Sequence, residues 1–223
     1  MDKAILKKNY EQVLKNIKKY DVSGGARLLI ATKMQNNEDI NYLVSQGACL
    51  IGENKVNELL EKYEGYDKNA EVHFIGTLQS NKVKYIVDKV SLIHSVDKIS
   101  LLEEIDKRSS KIGKIMDVLL EVNSGKEESK GGIFPEDVSD FYEKAKAFKN
   151  VRVRGLMTMA PRCGSREEYL KYFGLTKKLF DELFGNDENA ILSMGMSDSY
   201  TYALEAGANL VRVGSKIFGE RKY

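Results

Sequence analysis

Apolar positions recur with helical spacing over residues 2–20, where Ile5, Leu6, Tyr10, Val13, Leu14 and Ile17 form one stripe. A turn at Ser23-Gly24-Gly25 then gives way to a short apolar burst, ARLLIATK, over 26–33. The same alternation continues along the chain. Short apolar runs at 49–54, 71–77, 91–97, 114–123, 151–160, 191–197 and 209–220 are separated by stretches with helical patterning, among them 36–47, 55–66, 81–89, 98–111, 135–148, 166–184 and 198–207. Pro135 stands at a natural helix start. Short apolar runs alternating with helices predict a parallel β/α architecture. An open doubly wound sheet and a closed barrel both fit that alternation. Eight units in 223 residues match a (β/α)8 TIM-type barrel at its short end, with an extra N-terminal helix that caps the bottom or packs outside. No change of composition and no Pro/Ser-rich linker divides the chain, so 1–223 reads as a single domain.

Charge narrows the classes of partner. Lys and Arg total 35 and Asp and Glu 33, so the basic excess needed for a sequence-blind grip on nucleic acid or an anionic membrane is missing. No apolar run reaches the ~18 residues that span a bilayer, and the charged N-terminal helix does not resemble a secretory signal. Cys49 and Cys163 allow at most one bridge, and a reduced cytoplasmic chain is the simpler reading. A near-neutral surface without an obvious apolar seam points to a monomer.

In such a barrel, chemistry sits where strands end and loops begin. The first strand ends in Lys33, which alternation puts on the face of Leu29 and Ala31. Either its ammonium snorkels to the rim, or desolvation at the mouth of the barrel frees the amine to attack a carbonyl. Strands seven and eight end in Ser197 and in Gly214-Ser215, the region where barrels frequently bind phosphate. Ser197 is placed to cap a helix beginning at Asp198, and its hydroxyl with the free helix N–H groups would suit a phosphate. Gly195 and Gly214 would let the backbone approach closely. The bland alternative is that Ser197 only caps and Gly214 only turns. Arg212 lies between Val211 and Val213 and so points to the opposite face, into the barrel. A buried arginine needs partners. These are either a ligand or a structural ion pair with Glu53 or Glu121.

Asn54 ends the second strand and either touches a ligand or caps the next helix. His73 and His94 lie on adjacent strands without the companions of a zinc site, and His73 reads as a core or rim hydrogen-bonder. SGKEESKGG, 124–132, lacks Walker spacing and reads as a mobile loop. Met157, Met159, Met194 and Met196 read as core or pocket lining. A lysine, a phosphate cradle and an inward arginine match the aldehyde, phosphate and pyridine nitrogen of pyridoxal 5′-phosphate. A Schiff-base aldolase would use the first two but needs a further acid/base.

Several longer stretches carry a resemblance. ATK (31–33), GENKVNE (52–58), HFIGTLQSNK (73–82), IHSVD (93–97), VRGLMTMAP (153–161), LSMGMSDSY (192–200) and VRVGSKIFGER (211–221) run through nearly the whole chain. The chain resembles the YggS/PROSC group of pyridoxal phosphate-binding homeostasis proteins. The resemblance implies a barrel like the N-terminal domain of alanine racemase, with Lys33 forming the internal aldimine. It also implies that Ser197, Gly214 and Ser215 hold the phosphate, Arg212 sits near the pyridine nitrogen and Asn54 lies at the cofactor edge. The family often places a proline shortly after the lysine, whereas Met-Gln-Asn-Asn follows here, so the first loop is expected to differ in shape. With the sequence read to Tyr223, no second domain is expected to supply the base of a racemase. The expectation is therefore a protein that buffers or delivers the cofactor, with PLP-dependent apo-enzymes as possible recipients. The alternative is a racemase of reduced form.

Overall fold

A computed structural model describes residues 1–185 and 187–219. Glu220 and Arg221 of the last matching stretch, and Tyr223, lie outside the described residues. Eight parallel strands close into a barrel in sequence order. They are β1 (Arg27–Ala31), β2 (Leu50–Glu53), β3 (Glu71–Phe74), β4 (Leu92–Val96), β5 (Met116–Val122), β6 (Val151–Thr158), β7 (Ile191–Ser193) and β8 (Leu210–Val213). Leu28 and Val211 lie side by side where β1 meets β8, the pairing that distinguishes a closed barrel from an open sheet.

Around the barrel run α1 (Lys3–Tyr20), α2 (Asn37–Ser45), α3 (Val56–Lys62), α4 (Ile99–Lys111), α5 (Val138–Ala145), α6 (Arg166–Phe184), α7 (Tyr200–Glu205) and α8 (Ser215–Phe218). Alternation along each strand sorts the side chains into two environments. Ile30, Ile51, Phe74, Val118, Val211 and Val213 face the helices and join the large outer core. Leu29, Leu50, Ile75 and Leu210 pack inside the barrel at one side, and Leu92, Leu119 and Met157 at the other.

The leading helix packs on the outside of the barrel. Leu6, Tyr10, Val13 and Ile17 are buried, while Ile5 and Leu14 of the same apolar set are 53% and 39% exposed. Asn9 Nδ2 donates to the Ile217 carbonyl at 3.0 Å and Asn16 Nδ2 to the Tyr200 hydroxyl at 2.7 Å. These bonds tie α1 to α8 and α7, which are only 4 and 6 residues long. α1 therefore covers sheet that two short helices leave open.

Two expectations are corrected. The stretch 81–89 is not an α-helix: Ser80–Tyr85 is a 3₁₀ helix. Val83, Ile86, Val87 and Val90 are all buried, which is why the spacing looked α-helical. The hydrogen bonds, however, mix i→i−3 (Ile86 to Val83) with i→i−4 (Val87 to Val83). The strands also stop earlier than their apolar runs, so Lys33, Asn54 and Ser197 stand on loops just past strand ends. The 124–132 loop is tied down by Asn123, whose Nδ2 donates to the Glu127 carbonyl at 2.9 Å and whose Oδ1 accepts from the Glu127 amide at 3.1 Å. The carboxylate of Asp97 accepts from the Gly132 amide at 3.0 Å. Cys49 and Cys163 are unbridged, and no helix among the described residues is long and apolar enough to cross a membrane.

If the stripe of α1 docks it, Leu6→Ala should lower the unfolding free energy by about 2–5 kcal/mol, and Leu14→Ala should have a much smaller effect. Urea unfolding followed by circular dichroism checks this, and equal losses at the two positions would contradict the docking.

Candidate functional site

At the C-terminal end of the barrel, a cavity of about 270 Å³ opens between the ends of β1, β7 and β8. Lys33, Asn54, Ser197, Arg212, Gly214 and Ser215 all line it. The residues singled out separately along the sequence thus converge on one place. Met159, Met196, Asp198 and Arg212 also line a larger neighbouring cleft of about 600 Å³. Met159 and Met196 are 44% and 42% exposed at this mouth, while Met157 and Met194 are core.

Lys33 follows β1 by two residues. Its neighbour Thr32 turns the other way and is fully buried behind the sheet, where its hydroxyl donates to Glu53 Oε1 at 2.6 Å. Lys33 shares the face of Leu29 and Ala31, and its side chain is half-buried at the cavity. Immediately after it, Met34 takes a left-handed conformation, φ 62°, which is uncommon outside glycine. The Met34 amide donates to a Glu58 carboxylate oxygen.

Lys62 braces this turn from α3. Its Nζ donates to the carbonyls of Thr32 at 2.9 Å and Gln35 at 3.2 Å, and is paired with Glu53 at 2.6 Å and Glu58 at 2.9 Å. Tyr66 also donates its hydroxyl to Glu53, at 2.9 Å, and its own ionisation is pushed up by burial and by the charge of Glu53. Sequence reasoning missed this brace. Its one local signal was the i,i+4 pair Glu58–Lys62, which is common on any helix surface.

Ser197 is a correction. The helix after β7 begins at Tyr200, with Ser199 in the capping position, so Ser197 does not cap it. The Ser199 hydroxyl accepts from the Met196 amide at 3.2 Å and closes the intervening turn. Ser197 Oγ instead accepts from the backbone N–H groups of Gly214 at 3.2 Å and Lys216 at 3.4 Å. Two amides of the β8 loop therefore converge on one oxygen at the cavity wall. Gly214 also lets the end of β8 sit close against β1, since a Cβ there would lie 3.0 Å from the Ala31 carbonyl oxygen and 3.3 Å from the Ala31 Cβ. Gly195 stands at φ 82°, in the left-handed region that glycine enters without cost. Asn54 does not cap the next helix: α3 starts after Lys55 without a side-chain cap.

Arg212 points into the barrel, as the flanking valines require. It is 4% exposed. Its Nη1 donates to the Ser193 carbonyl at 2.9 Å and to Ser193 Oγ at 2.6 Å, and its Nη2 to the Thr158 carbonyl at 3.1 Å. A guanidinium carries five N–H donors, so the Nε–H and one Nη2–H have no protein partner among the described residues. The alternative of an ion pair with Glu53 is excluded by geometry, because Glu53 lies on the outer face of the sheet with Lys62. Glu121 is near enough to act on Arg212 through its charge but forms no salt bridge with it among the described residues. Burial lowers the guanidinium pKa to about 10, which leaves it protonated at neutral pH. Burial, with the nearby charge of Asp97, raises Glu121 to about 7 against the opposing effect of Arg212.

The site therefore combines an amine, two convergent backbone amides and a buried group that only donates. Such a donor set suits a ligand with a carbonyl, an anionic tail and a hydrogen-bond acceptor between them.

Comparison with known proteins agrees with this architecture. Residues 2–222 match the model of the alanine racemase N-terminal domain. A pyridoxal phosphate homeostasis protein from Aquifex aeolicus is 44% identical over 201 residues, which cover 89% of this chain and 88% of that protein. One from Helicobacter pylori is 37% identical over 198 residues, 87% of each chain. Among solved structures, PipY of Synechococcus elongatus with PLP bound superposes with a TM-score of 0.82 at 27% identity, over 95% of this chain and all of that one. With a family model over almost its full length and relatives of this similarity, the chain belongs to the family of pyridoxal phosphate homeostasis proteins, built on the alanine racemase N-terminal barrel.

Proposed function

We propose that residues 1–223 act as a single cofactor-binding domain that holds pyridoxal 5′-phosphate on Lys33 and takes part in vitamin B6 homeostasis by storing or handing over the cofactor. The observation that carries this reading is the convergence of Lys33, Asn54, Ser197, Arg212, Gly214 and Ser215 on one cavity. The names of the relatives and the PLP bound to PipY support it.

When bound, the cofactor supplies an aldehyde that condenses reversibly with a primary amine. Lys33 is the amine at the cavity, kept in place by the Lys62 brace behind its loop. The amides of Gly214 and Lys216 are the donors for the phosphate, with Ser197 and Ser215 as hydroxyl partners. Small displacements of Ser197 would free both amides for an anion. Asn54 borders the ring. Arg212 offers N–H to the pyridine nitrogen and cannot take a proton from it. A guanidinium in this place would keep the ring nitrogen unprotonated, which suits holding and exchanging the cofactor more than transamination. A racemase needs an acid/base group on each face of the bound amino acid; the titratable side chains lining this cavity are Lys33, Arg212 and the exposed Asp198.

Two outcomes are expected. Lys33→Ala should abolish the visible-edge absorption of the loaded protein and the mass adduct left by borohydride reduction, and an adduct mapped to another lysine would overturn the assignment. Ser197→Ala should weaken binding of pyridoxal 5′-phosphate by roughly 1–3 kcal/mol while leaving pyridoxal almost unaffected. Equal affinities of the wild-type protein for the two compounds, measured by fluorescence titration, would remove the phosphate cradle. Exchange of the α-hydrogen of amino acids in D₂O at useful turnover would favour the racemase instead.

A further inference from the structure

The interior of the barrel holds a row of polar groups that the cavity itself does not explain. Glu71 opens β3 at the N-terminal end of the barrel. Its Oε1 lies 3.1 Å from His73 Nε2 and accepts from the Ser91 hydroxyl at 2.8 Å. Arg27 approaches its other oxygen at 3.7 Å. His73 Nδ1 lies 3.0 Å from His94 Nε2, and His94 Nδ1 lies 3.2 Å from Ser193 Oγ. Ser193 Oγ accepts from Arg212 at 2.6 Å. His73, His94, Ser193 and Arg212 are all 4% exposed or less.

The direction of the bonds in this row is set at its Glu71 end and is compatible with Arg212 at the other. Arg212 can only donate, so Ser193 Oγ accepts there and keeps its own hydrogen free for His94 Nδ1. Burial above all, with the charge of Arg212, holds His94 well below the usual imidazole pKa, so the ring is neutral; since His73 donates Nε2–H to ionised Glu71 and its Nδ1 must accept, the His94 hydrogen is on Nε2. That hydrogen goes to His73 Nδ1, and His73 Nε2–H goes to Glu71. The hydrogen bond from His73 keeps Glu71 ionised, with a pKa of about 2. In the reverse polarity Ser193 Oγ would accept twice, which a hydroxyl can do, but an unprotonated His73 Nε2 would face Glu71, so Glu71 would have to be protonated.

We infer that Glu71, His73, His94 and Ser193 form a one-way hydrogen-bond relay that positions Arg212 toward the ligand cavity from the opposite end of the barrel. These are positioning residues: among them only Ser193 touches Arg212, and none lines the cavity. The relay holds one hydrogen of Nη1 through Ser193 Oγ beside the bond to the Ser193 carbonyl, which fixes the plane of the guanidinium and so directs the two remaining donors. The inference rests on the reading of Arg212 as the partner of the cofactor ring.

The chain has 2 histidines, and both are in the relay, so long-range ¹H–¹⁵N spectra of the full-length apo-protein report on it without ambiguity. Both rings are expected as the Nε2–H tautomer with unprotonated Nδ1 at neutral pH. Glu71→Leu, at a half-exposed position, should mix the tautomers of both rings and shift the Arg212 Nε–H resonance. Glu71→Gln, whose amide oxygen still accepts, should restore both. Ser193→Ala, which keeps the two carbonyl acceptors of Arg212, should raise the exchange of the Arg212 Nε–H with water by about fivefold, the factor that goes with one net hydrogen bond. A protonated Nδ1 on either wild-type ring overturns the relay. So do His94 and Arg212 resonances that ignore both Glu71→Leu and Ser193→Ala. An Arg212→Ala protein that binds pyridoxal 5′-phosphate with unchanged affinity and spectrum would instead overturn the ring assignment and leave the apo-protein relay standing, so the two failures are distinct.

Discussion

A guanidinium buried inside a closed barrel is the constraint around which this molecule is arranged. The barrel geometry leaves Arg212 no other place: Val211 and Val213 belong to the outer core, and the residue between them must point inward. Taking such a charge out of water costs several kcal/mol. The described residues offer no salt bridge to offset it. Three hydrogen bonds to Ser193 and Thr158 stand in that role, each worth about 1.5–3 kcal/mol for a charged donor. The two terms are of similar size, so every one of these bonds matters. Ser193 and the histidines behind it occupy interior positions that apolar side chains fill at the same level elsewhere, with Leu29 beside Arg212 as the contrast.

The second organising element lies on the other face of the sheet. Glu53 is completely buried and would be costly without partners. Thr32, Lys62 and Tyr66 all reach its Oε1, while its Oε2 has no partner among the described residues. Lys62 also grips carbonyls on both sides of Lys33. The charge pair behind β2 and the turn that presents Lys33 in front of β1 are thus one structure. A left-handed Met34 persists there, at a cost of order 1–3 kcal/mol, because the brace holds both flanks of the turn.

How far the sequence could be read depends on which signals are local. Alternation is local, so Val-Arg-Val was enough to aim Arg212 inward, and Leu29, Ala31 and Lys33 were rightly put on one face. Strand–helix succession is also local, and with eight units it implied the barrel. Hydrogen-bond partners across the barrel are not local. Ser197 followed by Asp198 looks like a helix start, yet the tight turn closed by Ser199 delays the helix to Tyr200 and releases Ser197 toward Gly214, 17 residues away in sequence. Nothing along the chain announces that encounter. His73 and His94 were legible as neighbours on adjacent strands. Their link to Arg212 was not, because it passes through Ser193, 99 residues beyond His94. The 81–89 segment shows the converse: its apolar spacing was real, but spacing does not decide between i→i−3 and i→i−4 hydrogen bonds.

The polarity of the interior bears on what kind of chemistry the proposed site supports. Each link from Arg212 to Glu71 donates away from the cavity, and the row ends on a carboxylate that stays ionised. Such a row holds a donor rigidly in place. It has no spare proton to deliver to the cavity, and His94 at its centre resists taking one up. Glu121, raised to about 7 inside the barrel, is outside the row and among the described residues makes no hydrogen bond to it. An acid/base cycle on the ring side would therefore have to work against the arrangement of the core, whereas a guanidinium that only donates needs nothing more than to be kept still. The same feature that makes the barrel interior polar is thus the one on which the proposed role of holding a cofactor rests.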